Sequence, residues 1–96
     1  MSQQITVTTD GSTPLKPLIE SAVRAELRML ELALQRTSER LRGFEQQYGF
    51  SSEVFERRFE AMEVAESLDF IEWAGEIKTY RLLEAQRQAL EQATVR

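Results

Sequence analysis

The chain contains no cysteine and no histidine among its 96 residues. Their absence removes thiol nucleophiles, disulfides, zinc sites built on Cys or His, and imidazole acid–base work. It also has only two prolines and four glycines, so few positions break a helix or force a turn. No apolar run approaches the roughly 20 residues that a membrane-spanning helix needs. The first residues, MSQQITVTTDG, have neither a basic n-region nor an apolar h-region and do not read as a signal peptide. A soluble cytoplasmic protein is therefore expected. No glycine-rich phosphate loop occurs, and Ser51 and Ser52 have no accompanying base, so the usual nucleophile and nucleotide signatures are missing.

What is present suits a small folded domain, with 42% hydrophobic and 29% charged residues. A single core at this length is modest, and sharing burial across a homodimer is the simplest way to enlarge it. Val23, Leu27, Leu30, Leu34, Thr37, Leu41, Phe44 and Tyr48 alternate steps of three and four and draw one line down a helix. We read Val23, Leu27, Leu30, Leu34, Leu41 and Phe44 as a dimer seam, with Thr37, Arg40 and Glu45 helping to fix register. Leu18, Ala22, Ala25, Met29 and Leu32 keep the same rhythm on another face, and the row ends where Arg36 and Glu39 would continue it. This is a second interface stripe, because a helix that is apolar on two sides needs two things to pack against. Pro14 and Pro17 suit the helix start and Gly49 its end, giving a helix over about 16–48. Gly43 lies inside it at a cost of about 1 kcal/mol relative to alanine, and either allows a close crossing between Leu41 and Phe44 or is simply tolerated.

Phe50-Ser51-Ser52-Glu53-Val54-Phe55 marks the next start, with Ser51 as N-cap and Phe50 stapled to Phe55. Phe55, Phe59 and Met62 then form a buried stripe on a helix expected over about 52–66. Ser67-Leu68-Asp69 reads as a break, with Asp69 capping a third helix over about 69–93. That helix presents Phe70, Trp73, Ala74, Ile77 and Tyr80, followed by the thinner set Leu82, Leu83, Ala85, Ala89, Leu90 and Ala93. The eight aromatics all fall between positions 44 and 80. The expected core of a compact head is Phe55, Phe59, Phe70 and Trp73. The predicted fold is all-α: a long helical hairpin with a short helix at its turn, completing a helical bundle by dimerisation. Residues 14–96 form that single domain. Residues 1–13 form a polar arm in which Ile5 and Val7 alternate with threonines, either as a short strand or disordered.

Charge is uneven. Residues 1–52 are balanced, residues 53–76 carry a net charge of −6, and residues 77–96 a net charge of +2. An acidic centre repels phosphate backbones and attracts basic protein surfaces. Glu56, Glu60, Glu63 and Glu66 form the candidate acidic partner face; the plainer reading is a solvated helix face. All-α nucleotide pyrophosphatases hold magnesium with an E-E-x-x-E run and a later E-x-x-D. Here E-x-x-E occurs at Glu60/Glu63 and at Glu63/Glu66, but there is no adjacent glutamate pair, so no metal, cofactor or catalytic residue is assigned. A magnesium-dependent all-α nucleotide hydrolase and a structural coiled-coil adaptor stand as alternatives. Direct DNA binding is disfavoured, because the arginines of the first helix alternate with glutamates and the strand over Ile5–Thr9 carries no base.

The stretch FEQQYGFSSEVFERRFE from Phe44, followed by SLDFIEWAGE from Ser67, resembles a group of small helical bacterial and archaeal proteins. Their pattern is roughly F-E-x-x-Y-G-x-S-S-x-x-F, a charged gap, then D-F-x-E-W-A. The likeness spans residues 44–80, and the first helix matches only in general character. Many members look like the antitoxin side of a toxin–antitoxin pair. The resemblance implies a non-enzymatic protein that binds and neutralises a small basic partner, often a ribonuclease.

Overall fold

Pro14, in an extended conformation, precedes a first helix α1 over Leu15–Tyr48, which runs through strong helix formers for 34 residues. Gly49 stops it: at φ 80° the residue sits in the left-handed region, and its N–H returns to the Glu45 carbonyl. A computed structural model describes residues 3–8, 11 and 14–95. After α1 come a short α2 over Ser52–Glu60 and a long α3 over Leu68–Gln92. A three-residue strand stands at each end, β1 over Gln3–Ile5 and β2 over Ala93–Val95. The fold is thus the expected helical hairpin with a short helix at its turn, drawn out to 60 × 21 × 18 Å.

α1 and α3 run antiparallel. Phe44 stacks on Trp73 at 5.5 Å between ring centroids, and Arg40 reaches Glu76 at 3.3 Å. Continued in equal steps, that register places Leu34 opposite Leu83 and Leu27 opposite Leu90. Leu30 and Leu34 are buried, and Val23, Leu27, Leu41 and Phe44 half-buried. The apolar seam is therefore the contact between α1 and α3 of one chain, and no second copy is needed to cover it.

The N-terminal strand also finds its mate within the chain. β1 pairs in parallel with β2, Gln3 with Ala93, Gln4 with Thr94 and Ile5 with Val95. The hairpin explains this, since α1 begins and α3 ends at the same end of the stalk. Two short segments with nothing else to satisfy their backbones meet there. The strand lies earlier than the expected Ile5–Thr9, of which Thr9 is outside the described residues.

α2 ends six residues before its expected limit. Met62 adopts φ 57°, its N–H bonding the Phe59 carbonyl and the N–H of Glu63 the Arg58 carbonyl. This is a Schellman stop with methionine in the place that glycine usually fills, which is why the sequence did not announce it. Met62, expected in the buried stripe, is 86% exposed. At α3 the cap is Ser67, whose hydroxyl accepts the Phe70 N–H at 3.1 Å. Asp69 sits in the first turn instead of capping it, and has a different task described below. No described helix is long and apolar enough to cross a membrane.

Candidate functional site

The head is built around Trp73. Its ring and that of Phe55 are both fully buried and lie 4.0 Å apart at an interplanar angle of 2°. Phe44, Tyr48, Phe50, Phe59 and Phe70 pack around them, joined by Ile77 from the next turn of α3. The four residues expected in the head core thus stand in one cluster. The indole N–H donates to the Ser52 hydroxyl at 2.9 Å, so burying the one polar atom of the ring leaves no donor unpaired. Ser52 is itself buried and its N–H bonds a Glu45 carboxylate oxygen at 2.8 Å. The neighbouring Ser51 caps α2 by accepting the Val54 N–H. Two adjacent serines therefore divide the work, one capping the helix and one serving the indole.

Polar contacts tie the head to the stalk. Arg81 on α3 clamps Glu56 on α2 through two hydrogen bonds of 2.5 and 2.6 Å. The Arg81 fork holds the Glu56 carboxyl below the ordinary glutamate range, and Glu56 in turn pushes the Arg81 guanidinium up. The Tyr48 hydroxyl donates to Asp69, and this bond to a carboxylate pushes the Tyr48 pKa above the usual phenol value. Asp69 thereby joins the end of α1 to the start of α3. Arg58 lies over the Phe50 ring at 5.3 Å.

The four glutamates proposed as one acidic face separate in the structure. Glu56 is engaged by Arg81, and only Glu56 and Glu60 belong to α2. Glu63 and Glu66 follow the stop at Met62 and lie in the connection to α3, because the helix that would have aligned them ends at Glu60. All remain at the head, however. Glu53, Glu60, Glu63, Glu66 and Glu72 are exposed there and enter no ion pair among the described residues. Among those residues no group of three acids converges into a cation site.

Two grooves flank the α1–α3 contact. One, of about 400 Å³, lies on the α2 side between Glu45, Ser52, Glu56 and Arg81. The other, of about 540 Å³, opens on the opposite side between Gly43 of α1 and Gly75 of α3. Neither glycine has a positive φ, and a Cβ built on either meets nothing within 4 Å. Packing within the chain does not demand glycine at either place, yet the two face each other across one groove. Its rim carries Arg40, Glu72 and Glu76, with Phe44 also lining it. Arg40 bonds one Glu76 oxygen, while the other, though buried, accepts no hydrogen bond from a described residue. From sequence, Gly43 read as room for a close crossing between Leu41 and Phe44 or as a tolerated cost; its partnership with Gly75 needed the hairpin register.

The second stripe of α1 faces solvent. Leu18, Ala22, Ala25, Met29 and Leu32 are all exposed, Met29 at 68%. A similar row runs along the outside of α3: Leu68, Ile71, Gly75, Leu82, Ala85 and Ala89 are exposed as well, so the thinner set read from sequence divides, with Leu83, Leu90 and Ala93 half-buried and Leu82, Ala85 and Ala89 outside. Its spacing of three and four residues was a readable signal, but Lys78 interrupts it and the aromatic face dominates the pattern. No family model, curated protein or solved structure matches this chain.

Proposed function

We propose that this chain is a non-enzymatic protein-binding module of the antitoxin-like type, whose acidic head engages a small basic partner such as a ribonuclease toxin. The observation that carries the reading is the groove between Gly43 and Gly75. Gly43 and Gly75 put no side chain into it, so a partner's backbone can approach closely at those two positions. Its rim offers Glu72 and a buried Glu76 oxygen that accepts no hydrogen bond from a described residue. Arginine or lysine of a partner would supply the missing donor as a charge-assisted bond. The surrounding head supports the same polarity, since Glu53, Glu60, Glu63 and Glu66 are exposed, enter no ion pair among the described residues and would steer a basic protein towards it.

Co-expression with the product of the neighbouring reading frame, followed by affinity purification and calorimetry, tests this reading. The expected result is a stable complex whose association slows as salt rises, and whose affinity falls when Glu72→Gln and Glu76→Gln are introduced together. A basic neighbour that stays fully active in the presence of excess chain, with no heat of binding, would overturn it.

A further inference from the structure

The groove between Gly43 and Gly75 has walls of one kind only. Arg40, Gly43 and Gln47 follow one another along α1 at steps of three and four, and Glu72, Gly75, Glu76 and Thr79 share the facing side of α3. Both walls are helices, so their backbone N–H and C=O groups are already spent within α1 and α3. An extended segment laid here would find no backbone partner, whereas a helix brings its own hydrogen bonds with it. The space is about 540 Å³, and the two missing side chains let a third helix come close. Charge in the groove is ordered as well. Asp69, Glu72 and Glu76 run along the groove edge of α3 at steps of three and four. Asp69 accepts from Tyr48 and Gln47, and Glu76 bonds Arg40 through one oxygen only. Glu72 is exposed and enters no ion pair among the described residues.

We infer that the groove receives an α-helix of the partner, carrying two basic residues four positions apart on the edge turned towards α3. The proposal rests on the chain's being a binder of a basic protein, and names the form of the bound segment. Glu72 and Glu76 lie one turn apart, ~6 Å along α3, and residues four apart on a helix laid alongside keep the same interval. Arginine suits both places, because its planar fork can meet the free Glu72 carboxylate and bring a donor to the unpaired Glu76 oxygen. One turn nearer the head on the same side of α3, Leu68 is exposed and offers an apolar seat four positions beyond the basic pair. The recognised segment therefore reads Leu-x-x-x-Arg-x-x-x-Arg along the direction of α3. With it in place the head end of the hairpin becomes a three-helix bundle, and Phe44, half-buried at the groove, is covered.

Two alanine-based peptides of one composition, blocked at both ends, provide the probe. One carries Leu-x-x-x-Arg-x-x-x-Arg; in the other the arginines stand two positions apart and so fall on opposite sides of a helix. Calorimetry with the full chain should show the first bound about tenfold more tightly, and circular dichroism should show it gaining helicity as it binds. Glu72→Gln with Glu76→Gln should weaken it about tenfold. Glu63→Gln with Glu66→Gln, an equal change of charge outside the groove, should weaken it about twofold or less. Gly43→Leu should abolish binding while the chain stays helical. Equal affinity for the two peptides, binding without a gain in helicity, or indifference to the groove variants would overturn the helix and leave the basic-partner reading intact. Failure of both peptides where the product of the neighbouring reading frame still binds would do the same. A chain that takes the first peptide but not that product would support the helix and remove the product as partner; failure of all three would remove both.

Discussion

Trp73 and Phe55 lie face to face at 4.0 Å with their planes 2° apart, and the same indole donates to Ser52 at 2.9 Å. One residue on α3 therefore holds α2 twice, through a stack and through a hydrogen bond. Since α2 has only nine residues, fewer than the ~12–15 at which an isolated helix becomes even marginally stable in water, its existence depends on this docking. Trp73→Ala should lower stability by about 3–5 kcal/mol. Trp73→Phe, which keeps an aromatic ring but leaves Ser52 without its donor, should cost less. Ser52→Ala, which strands the indole N–H in a buried site, should cost about 1–3 kcal/mol. Urea denaturation followed by circular dichroism measures all three. An unchanged midpoint for Trp73→Ala would show that α2 is held some other way.

Stability should narrow at both ends of the pH scale. The folded state holds the Glu56 carboxyl below the ordinary ~4.3. Its contribution is therefore complete above that value and is lost as pH falls through the lowered one. Arg81 is largely solvated, so the loss should be small and should shrink further in high salt. Tyr48 behaves oppositely. Its pKa is raised above ~10 by the bond to Asp69, so its contribution is complete below that value and disappears as pH climbs through the raised one. Thermal melts of Glu56→Gln and Tyr48→Phe against pH should flatten the acid and alkaline limbs respectively.

Met62 carries backbone strain that a single substitution can remove. It sits at φ 57° and is 86% exposed, so its side chain contributes little packing to set against the conformation. Met62→Gly should stabilise the chain by about 1 kcal/mol, the ordinary difference between glycine and another residue in the left-handed region. Guanidinium melts provide the check; a destabilised variant would mean that Met62 packs on something after all.

The architecture was legible because it rests on long periodic signals. Seven positions from Leu27 to Tyr48 at steps of three and four fixed α1, and the aromatic cluster between 44 and 80 fixed the head. Ser51 with Phe50 and Phe55 announced the start of α2 through chemistry confined to six adjacent residues. What stayed hidden depended on contacts between distant positions or on unusual residues. The end of α2 uses methionine where glycine is the recognisable residue. Asp69 resembled a cap but serves Tyr48 across the turn, with Ser67 capping α3 instead. The seam could not say whether α3 or a second copy would cover it, because both present the same apolar helix surface. The Gly43–Gly75 groove exists only once the register of α1 against α3 is known, which no local pattern encodes.

The buried and exposed apolar rows of α1 should respond oppositely to charge. Leu30→Glu places a carboxylate in the α1–α3 contact, where Leu30 is buried. Desolvating that charge should unfold the stalk or cost about 3–5 kcal/mol. Leu32→Glu, two residues on, lies in the exposed row and should leave helicity and melting of the isolated hairpin within about 0.5 kcal/mol. Circular dichroism of both variants at low protein concentration separates the two rows. Equal loss of helicity would mean that the outer row is covered within the chain.

The two groove glycines give the sharpest separation of stability from binding. Gly43 and Gly75 are helical, and a Cβ at either meets nothing within 4 Å. Gly43→Ala and Gly75→Ala should therefore each raise stability by about 0.5–1 kcal/mol, since glycine in a helix interior loses more freedom on folding than alanine. Selection for stability alone would favour those changes. If the floor of the groove must stay bare for a partner's backbone, larger residues there should weaken the complex while the chain itself becomes more stable. Gly43→Leu with Gly75→Leu is the severe form: helicity should be kept, and binding of the basic partner lost. A doubly substituted chain that melts higher and binds as before would show that these glycines serve no contact at all.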